Sequence, residues 1–180
     1  TFMNNSLNKE NDQFLATIKS TIGKDIIETN AFFNDYQIIV PAKKIFDVLT
    51  KLHGNSYFAF DQLIDITAID YPEKSTRFEV VYLLLSTITN QRLTVKIYVN
   101  EGELVQSSVS IFKSANWSER EIWDMFGIFF SGHPDLRRLL TDYGFEGHPL
   151  RKDFPLTGRV QVKYDLSLIH ISEPTRHRGI

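Results

Sequence analysis

The sequence predicts an α+β fold: a mainly antiparallel sheet of about four strands with two packed helices, then a short capped helix and an extended irregular C-terminal segment. Three observations carry that expectation. Apolar residues recur at helical spacing in two segments of the first third, and three strand-like runs then follow one another across hairpin-length connections. Residues 119–155 crowd Gly, Pro, charge and aromatics into one stretch that cannot build a core of its own.

Taken in order, Phe14, Ile18 and Ile22 recur every four residues with Leu15 beside them, and Gly23 stops the pattern, which predicts an N-terminal amphipathic helix. Tyr36–Val40 reads as a short strand closed by Pro41. Ile45, Phe46, Val48, Leu49 and Leu52 then give the spacing of a second helix ending at Gly54. Three further strands are predicted at Leu63–Asp70, Phe78–Ser86 and Arg92–Val99. In the last of these Leu93, Val95, Ile97 and Val99 alternate with Arg92, Thr94, Lys96 and Tyr98, so one face is buried and the other is wet or covered by a partner. Val80–Leu85 is apolar on both faces and belongs in the sheet interior. Asn100–Glu103 is a turn, and Ser107–Phe112 reads as a helical turn.

The next helix carries its own start and stop signals. Ser118 and Glu121 form an S-x-x-E capping box, Trp117 and Ile122 a hydrophobic staple, and Gly127 supplies the terminating residue. Beyond it, His133-Pro-Asp135 sets a turn, and Gly144, Gly147 and Pro149 interrupt the chain so often that irregular structure is expected to Pro155. The organisation is therefore an α+β domain over 1–115 and a capped helix with a partner-binding segment over 116–165. Residues 166–180 look like translated sequencing-adapter sequence and are set aside as non-native.

Composition narrows the function classes. The 180 residues, 42% hydrophobic and 23% charged, suit one globular domain. No apolar run approaches the roughly 20 residues of a membrane span. There is no cysteine, which removes disulfides, cluster ligation and thiol catalysis from this chain. Lys and Arg number 20 against 22 Asp and Glu; without residues 166–180 the balance is 18 − 21 = −3, which gives no electrostatic case for nucleic acid. Met3 reads as an initiator, and neither a signal-peptide apolar region nor an Arg-rich transit segment follows it.

Two chemical constellations bear weighing. His133, Asp135, Asp142 and His148 are residue types that ligate zinc or iron, which would suit a free-standing metal-dependent enzyme, or an acid–base one. All four sit in a Gly/Pro-rich loop with no helical pair to fix geometry, so ordinary loop roles are expected instead. Glu119, Glu121 and Asp124 offer an acid and a base, but Glu121 is taken by the capping box, Arg120 and Asp124 are spaced as an i, i+4 ion pair, and Glu119 suits the first turn of the helix dipole. Arg137, Arg138, Arg151 and Lys152 stand among Glu119, Glu121, Asp124, Asp135, Asp142, Glu146 and Asp153, a mixture expected to form buried ion pairs with a partner protein.

The string Glu119-Arg-Glu-x-x-Asp124-Met-Phe-Gly127, then Gly132-His-Pro-Asp-Leu-Arg-Arg138 and Asp142-Tyr-Gly-Phe-Glu-Gly-His-Pro-Leu-Arg-Lys-Asp-Phe-Pro-Leu-Thr-Gly158, resembles the 30 kDa subunit of respiratory complex I, known as NADH dehydrogenase subunit 9 in mitochondria and as the C subunit in bacteria. Leu63–Pro72 and Arg77–Tyr82 extend the likeness, which covers most of 36–165. The resemblance implies a non-catalytic peripheral-arm subunit of NADH:ubiquinone oxidoreductase whose C-terminal segment wraps the 49 kDa subunit. It implies no cofactor on this chain, the assembled complex using FMN, iron–sulfur clusters, NADH and ubiquinone. It also implies membrane association only through the complex. On this reading Glu119, Arg120, Glu121, Asp124, Phe126, Gly127, His133, Pro134, Asp135, Arg137, Arg138, Asp142, Tyr143, Phe145, His148, Arg151 and Asp153 are the family signature and the subunit interface. Asn/Lys/Ile-rich usage and the missing transit peptide suit the mitochondrial inner membrane, matrix side; the alternative is the cytoplasmic face of a bacterial plasma membrane. The adapter-like segment stands where the family continues into a further tail.

Overall fold

The computed structural model describes residues 14–32 and 35–157, and beyond them only the backbone of 160–161, 164–165, 170–171 and 175–176. Helix α1 covers 14–22 and is followed by a short 3-10 turn at Gly23–Asp25. Strands β1 (Glu28–Phe32) and β2 (Asp35–Ile39) come next, then α2 (Ile45–Gly54), β3 (Gln62–Asp70), β4 (Phe78–Ser86) and β5 (Gln91–Val99). The chain continues through β6 (Leu104–Gln106), α3 (Ala115–Phe126) and β7 (Phe129–Ser131). Two-residue strands β8 (Val160–Gln161), β9 (Tyr164–Asp165), β10 (His170–Ile171) and β11 (Thr175–Arg176) pair β8 with β11 and β9 with β10. The remainder of the adapter-like stretch lies outside the described residues.

The main sheet has five strands in the order β1-β2-β5-β4-β3, antiparallel throughout except where β2 runs parallel to β5. The α+β expectation holds, with one strand more than the pattern indicated. Glu-Thr-Asn-Ala-Phe of β1 has no apolar alternation to announce it, because an edge strand with polar residues gains its place from the β2 ladder and not from burial. Strand β4 lies inside the sheet between β5 and β3, as its two-sided apolarity requires.

One hydrophobic cluster fills the space between one face of this sheet and the helices. The sheet contributes Tyr36 and Ile38, Leu93, Val95, Ile97 and Val99, Phe78, Val80, Tyr82 and Leu84, and Ile66 and Ala68, residues of one pleat parity in each strand. The helices contribute Phe14, Ile18 and Ile22 from α1, Ile45, Val48, Leu49 and Leu52 from α2, and Ile122, Met125 and Phe126 from α3. Phe14 meets Tyr36 with ring centroids 4.3 Å apart and Phe58 edge-on at 5.5 Å. Ile39 and Val81 are buried but lie on the opposite face of the sheet, outside this cluster.

Strands β6 and β7 form a separate parallel pair, Val105 opposite Phe130, with α3 as the crossover that a parallel connection requires. Between β6 and α3, the N–H groups of Ile111 and Phe112 both donate to Ser108 O at 2.9 Å, which is the helical turn read at 107–112.

The start of α3 corrects the sequence reading. The helix begins at Ala115, so Ser118 lies inside it and donates to Asp65 Oδ1 (3.1 Å) instead of capping, while flanking Ser114 donates to Leu63 O (3.1 Å) and makes no cap bond. Trp117 is 66% exposed, so no staple forms with buried Ile122, and Glu121 points to solvent. The physical reason is that the turn at 108–112 feeds α3 one turn early, through Ala115 N–H to Phe112 O, and contacts with β3 replace the local cap. The helix end is as read: Gly127 has φ 76° and donates to Trp123 O.

Candidate functional site

The signature residues gather at the C-terminal end of α3. A helix leaves its last four carbonyls without intrahelical donors, and here each has one. Trp123 O accepts from Gly127 N–H (2.9 Å), Asp124 O from His148 Nδ1 (2.9 Å), Met125 O from Leu150 N–H (3.1 Å) and Phe126 O from Arg151 Nε (2.5 Å). The sequence His148-Pro-Leu-Arg151 is therefore a four-residue lid on a helix end that a simple glycine cap would leave half finished.

The lid comes so close that Gly127 is required twice over. Its φ is left-handed, and a Cβ there would sit 2.5 Å from His148 Nε2 and 2.6 Å from Arg151 Nη2. Burial pushes the His148 pKa down, with Arg151 and Arg138 adding to that effect and favouring the neutral ring, whose Nδ1–H is the donor that the Asp124 carbonyl requires.

Asp124, fully buried on the last turn, collects the loop that precedes the lid. Its Oδ2 accepts the consecutive N–H groups of Leu139 (3.0 Å), Leu140 (2.8 Å) and Thr141 (3.0 Å), and its Oδ1 accepts Thr141 Oγ1 (2.5 Å) and Arg138 Nη1 (2.7 Å). Burial alone raises the pKa of this carboxyl, but the Thr141, Leu140 and Arg138 donors outweigh it and hold the group well below the usual carboxylate range. Arg138 also donates to Gly147 O at 3.2 and 3.3 Å and lies 5.7 Å from the ring centres of both Trp123 and Phe145.

Three further ties complete the arrangement. Arg120 is buried on the preceding turn and holds the carbonyls of Arg137 (3.1 Å) and Arg138 (3.2 Å). Asp70, at the inward-facing end of β3, accepts Arg77 Nε (2.7 Å) and Nη2 (3.0 Å) and the N–H of Lys152 (2.8 Å), while Arg77 also pairs with Asp153 (2.9 Å). Arg77 holds both the Asp70 and the Asp153 carboxyl below their usual range. Arg151 Nη1 reaches Glu101 at 2.5 Å, so the segment after the lid is fastened to the end of the sheet where β3 and β5 finish.

Glu119 stands apart from this cluster. It is fully buried and accepts Ser107 Oγ (2.6 Å), Ser108 N–H (2.7 Å) and Ser108 Oγ (2.7 Å). Burial raises its pKa, against those hydrogen bonds. Its carboxyl ties the β6–α3 connection to the helix, and the first-turn dipole role expected from sequence is not the one it plays.

The remaining expectations divide plainly. The i, i+4 ion pair of Arg120 with Asp124 does not form, because both side chains turn toward the loop at 137–141. Arg138 and Arg151 meet carboxylates of this same chain, so their charges are not waiting for a partner's; Arg137 pairs with Asp135 (2.9 Å) in the open. His133 Nδ1 accepts the Asp135 N–H (3.0 Å) and Nε2 donates to Asn116 O (3.0 Å). With His148 committed to Asp124 O and Asp142 exposed, the four loop residues weighed as metal ligands do not converge, and among the described residues no group of three His, Asp or Glu forms a metal site. Pro134 and Tyr143 face solvent, and Phe126 is buried. Asp70, Arg77, Glu101, Ser107, Ser108 and Thr141 were not anticipated. Asp70 was readable: it shares the pleat parity of Ile66 and Ala68, and a carboxylate on a buried face needs a partner.

A protein family described as "Respiratory-chain NADH dehydrogenase, 30 Kd subunit" matches residues 38–160. The chain is 50% identical over 162 residues to the C subunit of NADH-quinone oxidoreductase from Brucella abortus (strain 2308), covering 89% of this chain and 80% of the relative. The corresponding Brucella ovis protein gives the same identity and coverage. Among solved structures, a chain of the membrane-bound sulfane sulfur reductase, an archaeal respiratory membrane complex, superposes with a TM-score of 0.71 at 25% identity, over 82% of this chain and 86% of the other.

Proposed function

The chain belongs to the family of the respiratory-chain NADH dehydrogenase 30 kDa subunit, and from that premise we propose that it is a non-catalytic subunit of the peripheral arm of NADH:quinone oxidoreductase, docked on the 49 kDa subunit through α3 and the segment 128–157. The observation that carries this reading is the use made of the signature charges. Asp124, Arg138 and Arg151, joined by Asp70 and Arg77, are spent on holding residues 137–153 against the end of α3 and the end of the sheet, and none is left aimed at a common point where a substrate atom would sit. A chain without cysteine, and without a Gly-rich loop opening a helix, supports assigning the clusters, FMN, NADH and quinone to partner subunits. The Brucella relatives favour the cytoplasmic face of a bacterial membrane; they lend no support to the mitochondrial placement expected from the sequence.

The test is an Arg138→Ala variant in the organism that makes the complex, followed by NADH:quinone activity normalised to assembled complex on native gels. A scaffold loses complex abundance while turnover per assembled complex stays near normal. Normal abundance with turnover down about a hundredfold would place these residues in the chemistry instead.

A further inference from the structure

The loop between Arg138 and Gly147 is closed at its base by hydrogen bonds and carries apolar side chains outward. Arg138 bridges Asp124 and Gly147 O across the neck, and Asp124 pins the N–H groups of 139–141. Phe145 folds back to stack on Phe154, centroids 5.9 Å apart. Between these anchors Asp142 to Phe145 form a turn closed by Phe145 N–H to Asp142 O (3.1 Å), with Gly144 at φ 82°, the conformation that position i+2 of a type II turn demands. Tyr143 thus occupies the tip, 94% exposed, with Leu140 three residues before it at 61%. The charged residues around the tip are Asp142 and Glu146, both exposed and neither in an ion pair among the described residues. The basic side chains nearby are otherwise engaged, Arg138 with Asp124 and Arg137 with Asp135.

We propose that the loop 138–147 is a preformed plug that seats Tyr143, with Leu140, in an apolar pocket rimmed by Lys or Arg on a neighbouring subunit. This deepens the subunit reading and rests on it. An ordered loop has already lost its conformational entropy, so an aromatic at its tip binds without that cost. The unpaired acids at 142 and 146 specify the sign of the rim and steer the encounter. No carboxylate or cation of the plug has to be desolvated alone, because the buried ones are paired inside the chain.

The experiment titrates the chain against the remaining peripheral-arm subunits, purified together without it, at low and high salt. Tyr143→Ala weakens binding by about thirtyfold or more, as loss of an anchor residue does, and Tyr143→Phe stays close to the parent. Asp142→Lys combined with Glu146→Lys weakens binding and abolishes the loss of affinity that added salt causes in the parent. Thermal midpoints of the isolated variants match the parent, since these three side chains are exposed. Parent-like affinity in Tyr143→Ala, or in the charge-reversed pair, overturns the plug while leaving the subunit reading intact. Self-association of the chain that vanishes in Tyr143→Ala overturns it too, by naming a second copy as occupant. Failure of the parent chain itself to bind removes the subunit reading, and the plug with it.

Discussion

At Asp124 one fully buried carboxylate organises a loop of ten residues, because three successive N–H groups, a hydroxyl and a guanidinium all find their acceptor on it. Asp124→Ala removes that acceptor and strands the partly buried Arg138 charge. The expected cost is about 2 to 4 kcal/mol, reduced from the fully buried case because Arg138 keeps some contact with solvent. Urea titration of the isolated chain measures it, and a change under 1 kcal/mol would mean the loop is held by other means. Gly127 makes a second residue-scale prediction. Alanine there meets both a left-handed φ and the His148 and Arg151 side chains, so Gly127→Ala should destabilise by about 2 kcal/mol or more, whereas alanine at Gly132, with positive φ but open space, should cost only about 1 kcal/mol. Equal midpoints for the two variants would show that the lid gives way without resistance.

The element that concentrates these effects is α3, whose start and end obey different rules. Its end is set locally by glycine and completed by residues 148–151; its start ignores a serine and glutamate placed as a cap, because the preceding turn and β3 supply the contacts first. The lid gives the helix a pH dependence of definite sign. In the unfolded chain His148 titrates near its ordinary value of 6.5, and in the folded chain burial lowers it. As the pH falls below about 6.5 the unfolded state therefore takes up the proton first, and stability is lost on the acid side until the folded ring also titrates. Denaturant midpoints at pH 7.5 and 5.5 should fall more for the parent than for His148→Gln, which cannot gain that charge. Equal falls would remove His148 as the cause. Glu119 acts in the opposite direction: its raised pKa contributes stability below 4.5 that is lost as pH rises through the folded value, so Glu119→Gln should flatten that limb.

Across the whole molecule, residues 138–154 are tied to α3 and to the end of the sheet by hydrogen bonds within the chain. Hydrogen exchange on the isolated chain should therefore show the amides of Leu139, Leu140, Thr141 and Leu150 protected well beyond an open loop, with the tip at Tyr143 and Gly144 fast. Uniformly fast exchange from 138 to 154 would show that these hydrogen bonds do not hold the segment in the isolated chain. Much of this architecture was legible in the chain itself. Apolar period identified α1, α2, β3, β4 and β5, since burial of one face forces a repeat of 3.6 or 2 on the residues that make it. Gly127 announced the end of α3, because a left-handed residue is a local demand. The aromatic and charged density of 119–155 marked the site and carried the family likeness. What the chain alone left open were the partners of its charges. Arg138 stands between Asp135 and Asp142 in sequence, yet its carboxylate is Asp124, one helix end away, and Asp70 meets Lys152 across 82 residues. Edge strand β1, the parallel β2–β5 pair and the early start of α3 are of the same kind. Periodicity and turn chemistry act over a few neighbouring residues and can be read from their order, whereas a buried charge is satisfied by whichever group the finished packing brings within 3 Å of it.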